Sequence, residues 1–138
     1  SELDILYGAK NLLKKVRFLE IEVEFNQIYT GQPVFSDVDN FLRKYGFELW
    51  KLPNIVHYGL KGESDKVLDV STINYDHHRC EVKSRGGQIF WADALYVKKE
   101  IVHNHVTSDS SEQIKRDHEI AMRLGLSDLA SRIKNMSK

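Results

Sequence analysis

Three glutamates at alternate positions, Glu20, Glu22 and Glu24, are the residues of this chain best spaced to do chemistry together. They lie in VRFLEIEVEF, residues 16–25, where Leu19, Ile21, Val23 and Phe25 alternate with them. Successive side chains of a strand point to opposite faces, so a strand here has one apolar face and one row of carboxylates. Buried carboxylates are costly unless paired or hydrogen-bonded, so the row either borders water or lines a polar site. In the first case the acids meet solvent or pair with Lys14, Lys15 or Arg17. In the second, Glu22, central and near the carboxyl end of the strand, faces a pocket formed with the loop Tyr29–Pro33, where a carboxylate can take a proton from a hydroxyl.

Other groups offer less. His77-His78 and His103-x-His105 are the right ligand types for a metal. Neither pair has the i, i+4 spacing of a helical ligand pair, and scattered surface histidines fit the pattern better. Cys80 follows Asp76-His77-His78-Arg79 and is too close in sequence to those histidines for a nucleophile–base geometry. Gly86-Gly87 precedes a strand instead of following one, the wrong context for a phosphate-cradling loop, and no serine sits in a nucleophile elbow. Asp93 is a lone acid within the apolar run QIFWADALYVK, residues 88–98. It must find a donor, either in a structural hydrogen bond or in direct chemistry.

The elements that position these residues follow from periodicity and punctuation. Leu3, Leu6 and Leu13 with Ile5 and Leu12 predict a short helix ending near Tyr7 or Gly8, then a turn through Asn11–Lys15. Gly31 and Pro33 make 26–35 a loop, either a connection anchored by Tyr29 and Phe35 or a ligand-contacting segment. Ser36–Tyr45 is the clearest helix, with Val38, Phe41, Leu42 and Tyr45 at i, i+3, i+4 and i+7. Ser36 is expected to cap it with Asp39 three residues on, and Gly46 to end it. Phe47–Leu52 reads as a strand. Residues 54–85 read as an irregular insertion in which Val67, Leu68, Val70 and Ile73 form a strand or a packed loop. Residues 88–98 are apolar on both faces, the signature of a strand covered on both sides. From 100 onward a polar linker leads to two helices, Ser111 to Leu124 and one capped by Ser127, that dock on the sheet or on a partner.

Length and charge narrow the function classes. With 138 residues, of which 41% are hydrophobic, the chain has the size and apolar content of one globular unit. Lys plus Arg equals Asp plus Glu at 20 each, so no net field draws nucleic acid or an anionic membrane. One cysteine excludes an internal disulfide. No apolar run approaches the ~20 residues of a membrane span. A cytoplasmic protein without nucleic-acid or membrane partners is expected, and a helix beginning at Glu2 suggests a fragment with an upstream portion missing.

Several words of the sequence occur in a recognisable order: E-L-x-x-L-x-G-A at Glu2–Ala9, the L-E-I-E-V strand, Y-x-G-Q-P at Tyr29–Pro33, G-F-E-L at Gly46–Leu49 and A-D-A-L at Ala92–Leu95. Over residues 1 to about 99 the chain resembles the carboxyl-terminal half of the FkbM family of S-adenosylmethionine-dependent methyltransferases. The resemblance implies the carboxyl-terminal part of a Rossmann-like class I methyltransferase sheet with an appended helical tail at 100–138. Residues 16–25 would be its fifth strand, 47–52 its sixth, and 88–98 an antiparallel seventh inserted between neighbours. It implies methyl transfer to a hydroxyl of a sugar, glycan or other small metabolite. Glu22 stands at the family's glutamate as the catalytic carboxylate, with Tyr29, Gln32 and Asp93 on the acceptor side. Glu2 would be the remnant of the acidic cofactor motif that ends the fourth strand. The glycine-rich loop that grips S-adenosylmethionine belongs to the amino-terminal half, so these residues alone are expected to be inactive. The alternative from another class is a non-catalytic α/β interaction module, self-associating through an unpaired sheet edge.

Overall fold

The computed structural model describes residues 1–58, 67–75, 78–85, 87–103 and 109–136. Helices α1 (Glu2–Gly8) and α2 (Lys10–Leu13) lead into β1 (Phe18–Glu24), followed by α3 (Phe35–Lys44), β2 (Phe47–Lys51) and a two-residue β3 (Val56–His57). Strands β4 (Val67–Tyr75) and β5 (His78–Arg85) form a separate antiparallel hairpin. The chain then returns through β6 (Ile89–Lys98), α4 (Lys99–Val102), α5 (Ser111–Arg123) and α6 (Ser127–Met136). The architecture is mixed α/β, an open antiparallel sheet with helices packed on it.

Strand β6 is the centre of the sheet. β1 pairs with one of its edges and β2 with the other, both antiparallel, and β3 also pairs with it, giving the order β1-β6-β2. On one face Tyr96 and Ala94 meet Val23 of β1 and Phe47 of β2, and α1, α2 and α3 cover them with Leu6, Leu13, Val38, Phe41 and Leu42. On the other face Leu95 and Val97 are covered by Ile101, Ala121, Leu126, Leu129, Ala130 and Ile133 from α4, α5, α6 and the turn between the last two. The two-sided apolarity of residues 88–98 is thus satisfied by helices of both sides. The tail helices dock on the sheet and supply half of its core.

Local chemistry explains the helix ends. Gly46, at φ 79°, follows the Tyr45 cap of α3, and its N–H donates to Arg43 O at 3.0 Å. α5 ends in a Schellman arrangement: Gly125, at φ 71°, donates to Met122 O and Leu126 to Ala121 O. At the start of α3 the expected cap at Ser36 is displaced. The cap is Val34, whose N–H donates to Asp37 Oδ2 at 2.9 Å, because Asp37 stands three residues on from Val34 and takes the role expected of Asp39. Asp39 accepts instead from the Tyr96 hydroxyl at 3.0 Å and from Arg43 Nε at 2.7 Å. Burial, then the charge and hydrogen bond of Asp39, push the Tyr96 phenol well above its usual range. The segment expected to be irregular, 54–85, holds β3 and the β4–β5 hairpin. The expected linker begins with α4, directly after β6. His78 and Cys80 lie on β5, whereas His77 and His105 fall outside the described residues.

The two cores are tied together by Arg17, just ahead of β1. Its Nε donates to both carboxylate oxygens of Asp117 on α5, at 2.9 and 3.0 Å, and its Nη2 to Asp109 at 2.6 Å. Gln113 Nε2 also donates to Asp117 at 2.9 Å. The Asp117 side chain is only 3% exposed. Burial would drag the guanidinium down, but the two carboxylates outweigh it and raise its proton affinity. Asp117→Ala should therefore cost about 2 kcal/mol in denaturant unfolding, less than a wholly orphaned buried charge because Asp109 still meets Arg17. Tyr96→Phe, which removes one hydrogen bond and no charge partner, should cost about 1 kcal/mol.

Candidate functional site

Of the sheet's two faces, the one covered by α5 and α6 is shared between core and acids. Phe18, Leu95 and Val97 pack under the tail helices. Farther along β1 the same face carries Glu20, Glu22 and Glu24, the row anticipated from the alternation. Glu20 and Glu22 are exposed and Glu24 is half-buried.

The register places Glu22 directly opposite Asp93 of β6 and Glu24 opposite Trp91. Hydrogen bonds from Lys98 N to Arg17 O and from Phe25 N to Phe90 O show that odd-numbered residues of β1 bond to β6. Glu22 and Asp93 are therefore a non-hydrogen-bonded pair, the closer kind of cross-strand neighbours, and two like charges there repel. Asp93 is relieved from the other side. Asn54 Nδ2 donates to its Oδ2 at 2.9 Å, and the Asp93 N–H donates to Pro53 O at 3.2 Å. Asn54 holds a left-handed backbone at φ 52°, which asparagine tolerates better than most residues.

Glu24 is the acid of this row whose proton affinity is raised. Burial first, then the charges of Glu22 and Glu2, raise its pKa, and its Oε2 is buried without a hydrogen-bond partner among the described residues. Glu2, at the start of α1, is thus an electrostatic neighbour of the carboxyl end of β1. It also lines an apolar groove of about 280 Å³ along the outer side of β1, with Ile5, Leu12, Leu19 and Ile21 among its walls.

Gln32 is turned inward and only 7% exposed. Its Oε1 accepts from Ile28 N at 2.8 Å and its carbonyl from Gln27 Nε2 at 2.9 Å, so it builds the loop it sits in. Tyr29, 59% exposed, stands on the loop's surface. The structure thus brings Glu22 beside Asp93, sets Glu2 near Glu24, and uses Gln32 internally. Arg17, a candidate partner of the glutamates, is engaged by Asp109 and Asp117 instead. Within the glutamate row the sequence favoured Glu22 over Glu24, and it did not single out Asn54. Pro53-Asn54 reads only as a turn. Among the described residues no group of three or more His, Cys, Asp or Glu side chains could hold a metal ion, and no helix is long and apolar enough to cross a membrane.

S-adenosylmethionine, the group implied by the FkbM resemblance, asks for a cradle of backbone N–H groups and an acid for its ribose. Among the described residues they offer Glu2 at the wall of an open apolar groove and no glycine-rich strand-to-helix turn. By themselves they do not fit it. No family model, curated protein or solved structure matches this chain.

Because the raised pKa of Glu24 disfavours its ionised form in the folded state, the folded protein gains from protonation and loses stability as pH rises through the carboxylate range. Glu24→Gln should raise stability at pH 7 by less than about 1 kcal/mol, discounted for solvent screening, and should leave it unchanged near pH 4. Thermal unfolding followed at the two pH values checks this.

Proposed function

We propose that this chain is the acceptor side of an S-adenosylmethionine-dependent methyltransferase of the FkbM type, acting on a hydroxyl of a sugar or other small metabolite. The observation that carries the reading is the strand order. A last strand, β6, lies antiparallel between two earlier strands that run parallel to each other, which is how the seventh strand of that fold sits between the fifth and sixth. The α1 helix precedes β1 and sets Glu2 electrostatically near Glu24, at the strand's carboxyl end, where ligands of open α/β sheets bind.

In this reading Glu22 is the carboxylate that takes the acceptor's hydroxyl proton. Its exposure leaves it open to an incoming hydroxyl, and the register sets the Asp93 carboxylate directly across from it. Asn54 orients Asp93 so that a second acid stands ready to hydrogen-bond a neighbouring hydroxyl. Tyr29, on the loop surface, offers a ring for the acceptor to lie against. The donor is held by residues outside these 138.

Titration calorimetry of the 138-residue chain with S-adenosylmethionine should give no binding heat, and tight binding would overturn the division of labour. Full-length protein carrying the donor-binding strands should transfer labelled methyl to a hydroxyl acceptor. Glu22→Gln in that protein should lower kcat about 100-fold with donor affinity unchanged. Undiminished turnover in the variant would end the role given to Glu22, and absence of transfer to every hydroxyl acceptor tried would end the methyltransferase reading.

A further inference from the structure

The tail helices hold a cavity of their own. Ser111, Ile114, Lys115 and His118 recur at i, i+3, i+4 and i+7 and so form one stripe of α5, and with Lys134 of α6 they line a cavity of about 330 Å³. Gln113, Arg116 and Ile120 belong to the other flank of α5, which lies against Lys15–Phe18 at the head of β1. The cavity is thus walled by two consecutive helices of this chain, on the far side of α5 from β1, the strand beside which the donor-binding strands would join. Its walls depend on nothing outside these 138 residues.

Among the described residues no carboxylate lines it. Each helix brings a cation, Lys115 from α5 and Lys134 from α6, and His118, half-buried, adds a ring nitrogen that can donate. Neither Lys115 nor His118 has an ion pair or a side-chain hydrogen bond among the described residues. The neighbouring acids of α5 are turned elsewhere: Glu112 stands 4.0 Å from Arg116, and Glu119 is exposed off the cavity wall. Ser111 opens α5 and supplies a hydroxyl together with a peptide N–H that has no acceptor inside the helix. A phosphate monoester, with about two negative charges at pH 7 and three terminal oxygens, can use a cation from each helix and the donors of His118 and Ser111 at once. A carboxylate, with one charge and two oxygens, cannot. Ile114 and the methylene stems of the lysines offer apolar contact that inorganic phosphate has no use for, and the volume falls at the small end of the roughly 300–1,000 Å³ of small-molecule sites. We propose that the cleft between α5 and α6 binds a small organic phosphate monoester, its phosphate between Lys115, His118 and Lys134 beside Ser111 and its organic body against Ile114. Glu22 and Asp93 take no part, so the site stands apart from the methyltransferase reading.

The test titrates the 138-residue chain with glycerol 3-phosphate, glucose 6-phosphate and phenyl phosphate, and with inorganic phosphate and glucose beside them, following amide and His118 ring signals by NMR. At least one monoester should move the signals of Ser111, Lys115 and His118 at millimolar concentration, with inorganic phosphate about tenfold weaker and glucose without effect. Lys115→Ala and His118→Ala should each weaken the best monoester about tenfold. Arg116→Ala, which removes an equal charge from the other flank of α5, should leave its affinity unchanged, and unchanged unfolding midpoints show that all three variants fold. Silence from all three monoesters, glucose binding as tightly as its phosphate, or equal losses in Lys115→Ala and Arg116→Ala would each refute the site. Inorganic phosphate binding as tightly as the best monoester would refute its organic half.

Discussion

The structure depends on keeping one strand out of water on all sides. From Ala94 to Lys98 every residue of β6 is buried, both of its edges are paired, and helices from both ends of the chain lie over its faces. Such a strand cannot be satisfied by local sequence. It requires β1 and β2 for its peptide groups, α1 to α3 for one face and α4 to α6 for the other. Fully burying one large apolar side chain contributes roughly 1.5–3 kcal/mol, so Leu95, Tyr96 and Val97 together are a large fraction of a marginal stability.

Polar groups trapped at the margins of this strand are answered one by one. Tyr96 reaches Asp39 at the covered face, and Asp39 is shared with Arg43. Lys98, depressed by burial, lies with its ammonium 4.0 Å from the centre of the Phe47 ring and donates to the Tyr45 carbonyl at the end of α3, where a cation also meets the helix dipole. Arg17 does the same between sheet and tail. At the other end of β6 this care lapses: Glu22, Glu24 and Asp93 share one face, and among the described residues the neutral amide of Asn54, which reaches Asp93, is the only side-chain donor found for the three. A concentration of like charge that could have been avoided by one neutral residue is the kind of local inconsistency that function explains more readily than stability.

Much of the frame could be read from the residues because the cues were local. The i, i+3, i+4, i+7 stripe of α3, the glycine at 46 and the doubly apolar run at 88–98 each carry their own physics. The start of α3 was misplaced because two acids compete for the capping role, and Asp37 wins once Tyr96 and Arg43 claim Asp39. Residues 67–75 were ambiguous because Val67, Leu68, Val70 and Ile73 keep no strict alternation; their strand is set by pairing with 78–85. In the acid row, alternation announced one carboxylate face but could not say that Asp93 would be its neighbour, since that depends on register across some seventy residues. Gln32 looked available until the loop's own peptide groups took it.

Arg17 and Asp117 are separated by 100 positions in the chain. Closing so long a span carries an entropic cost before its contacts return anything, and chains dominated by such distant contacts reach the native state slowly. α5 and α6 can complete their docking only after β1 and β6 have met, since the surface they cover is made by that meeting. On a ribosome this order is imposed by synthesis: the first helices, β1 and β2 must wait with their apolar faces uncovered until β6 has emerged, which makes the interval before its arrival the time when this protein most needs a chaperone.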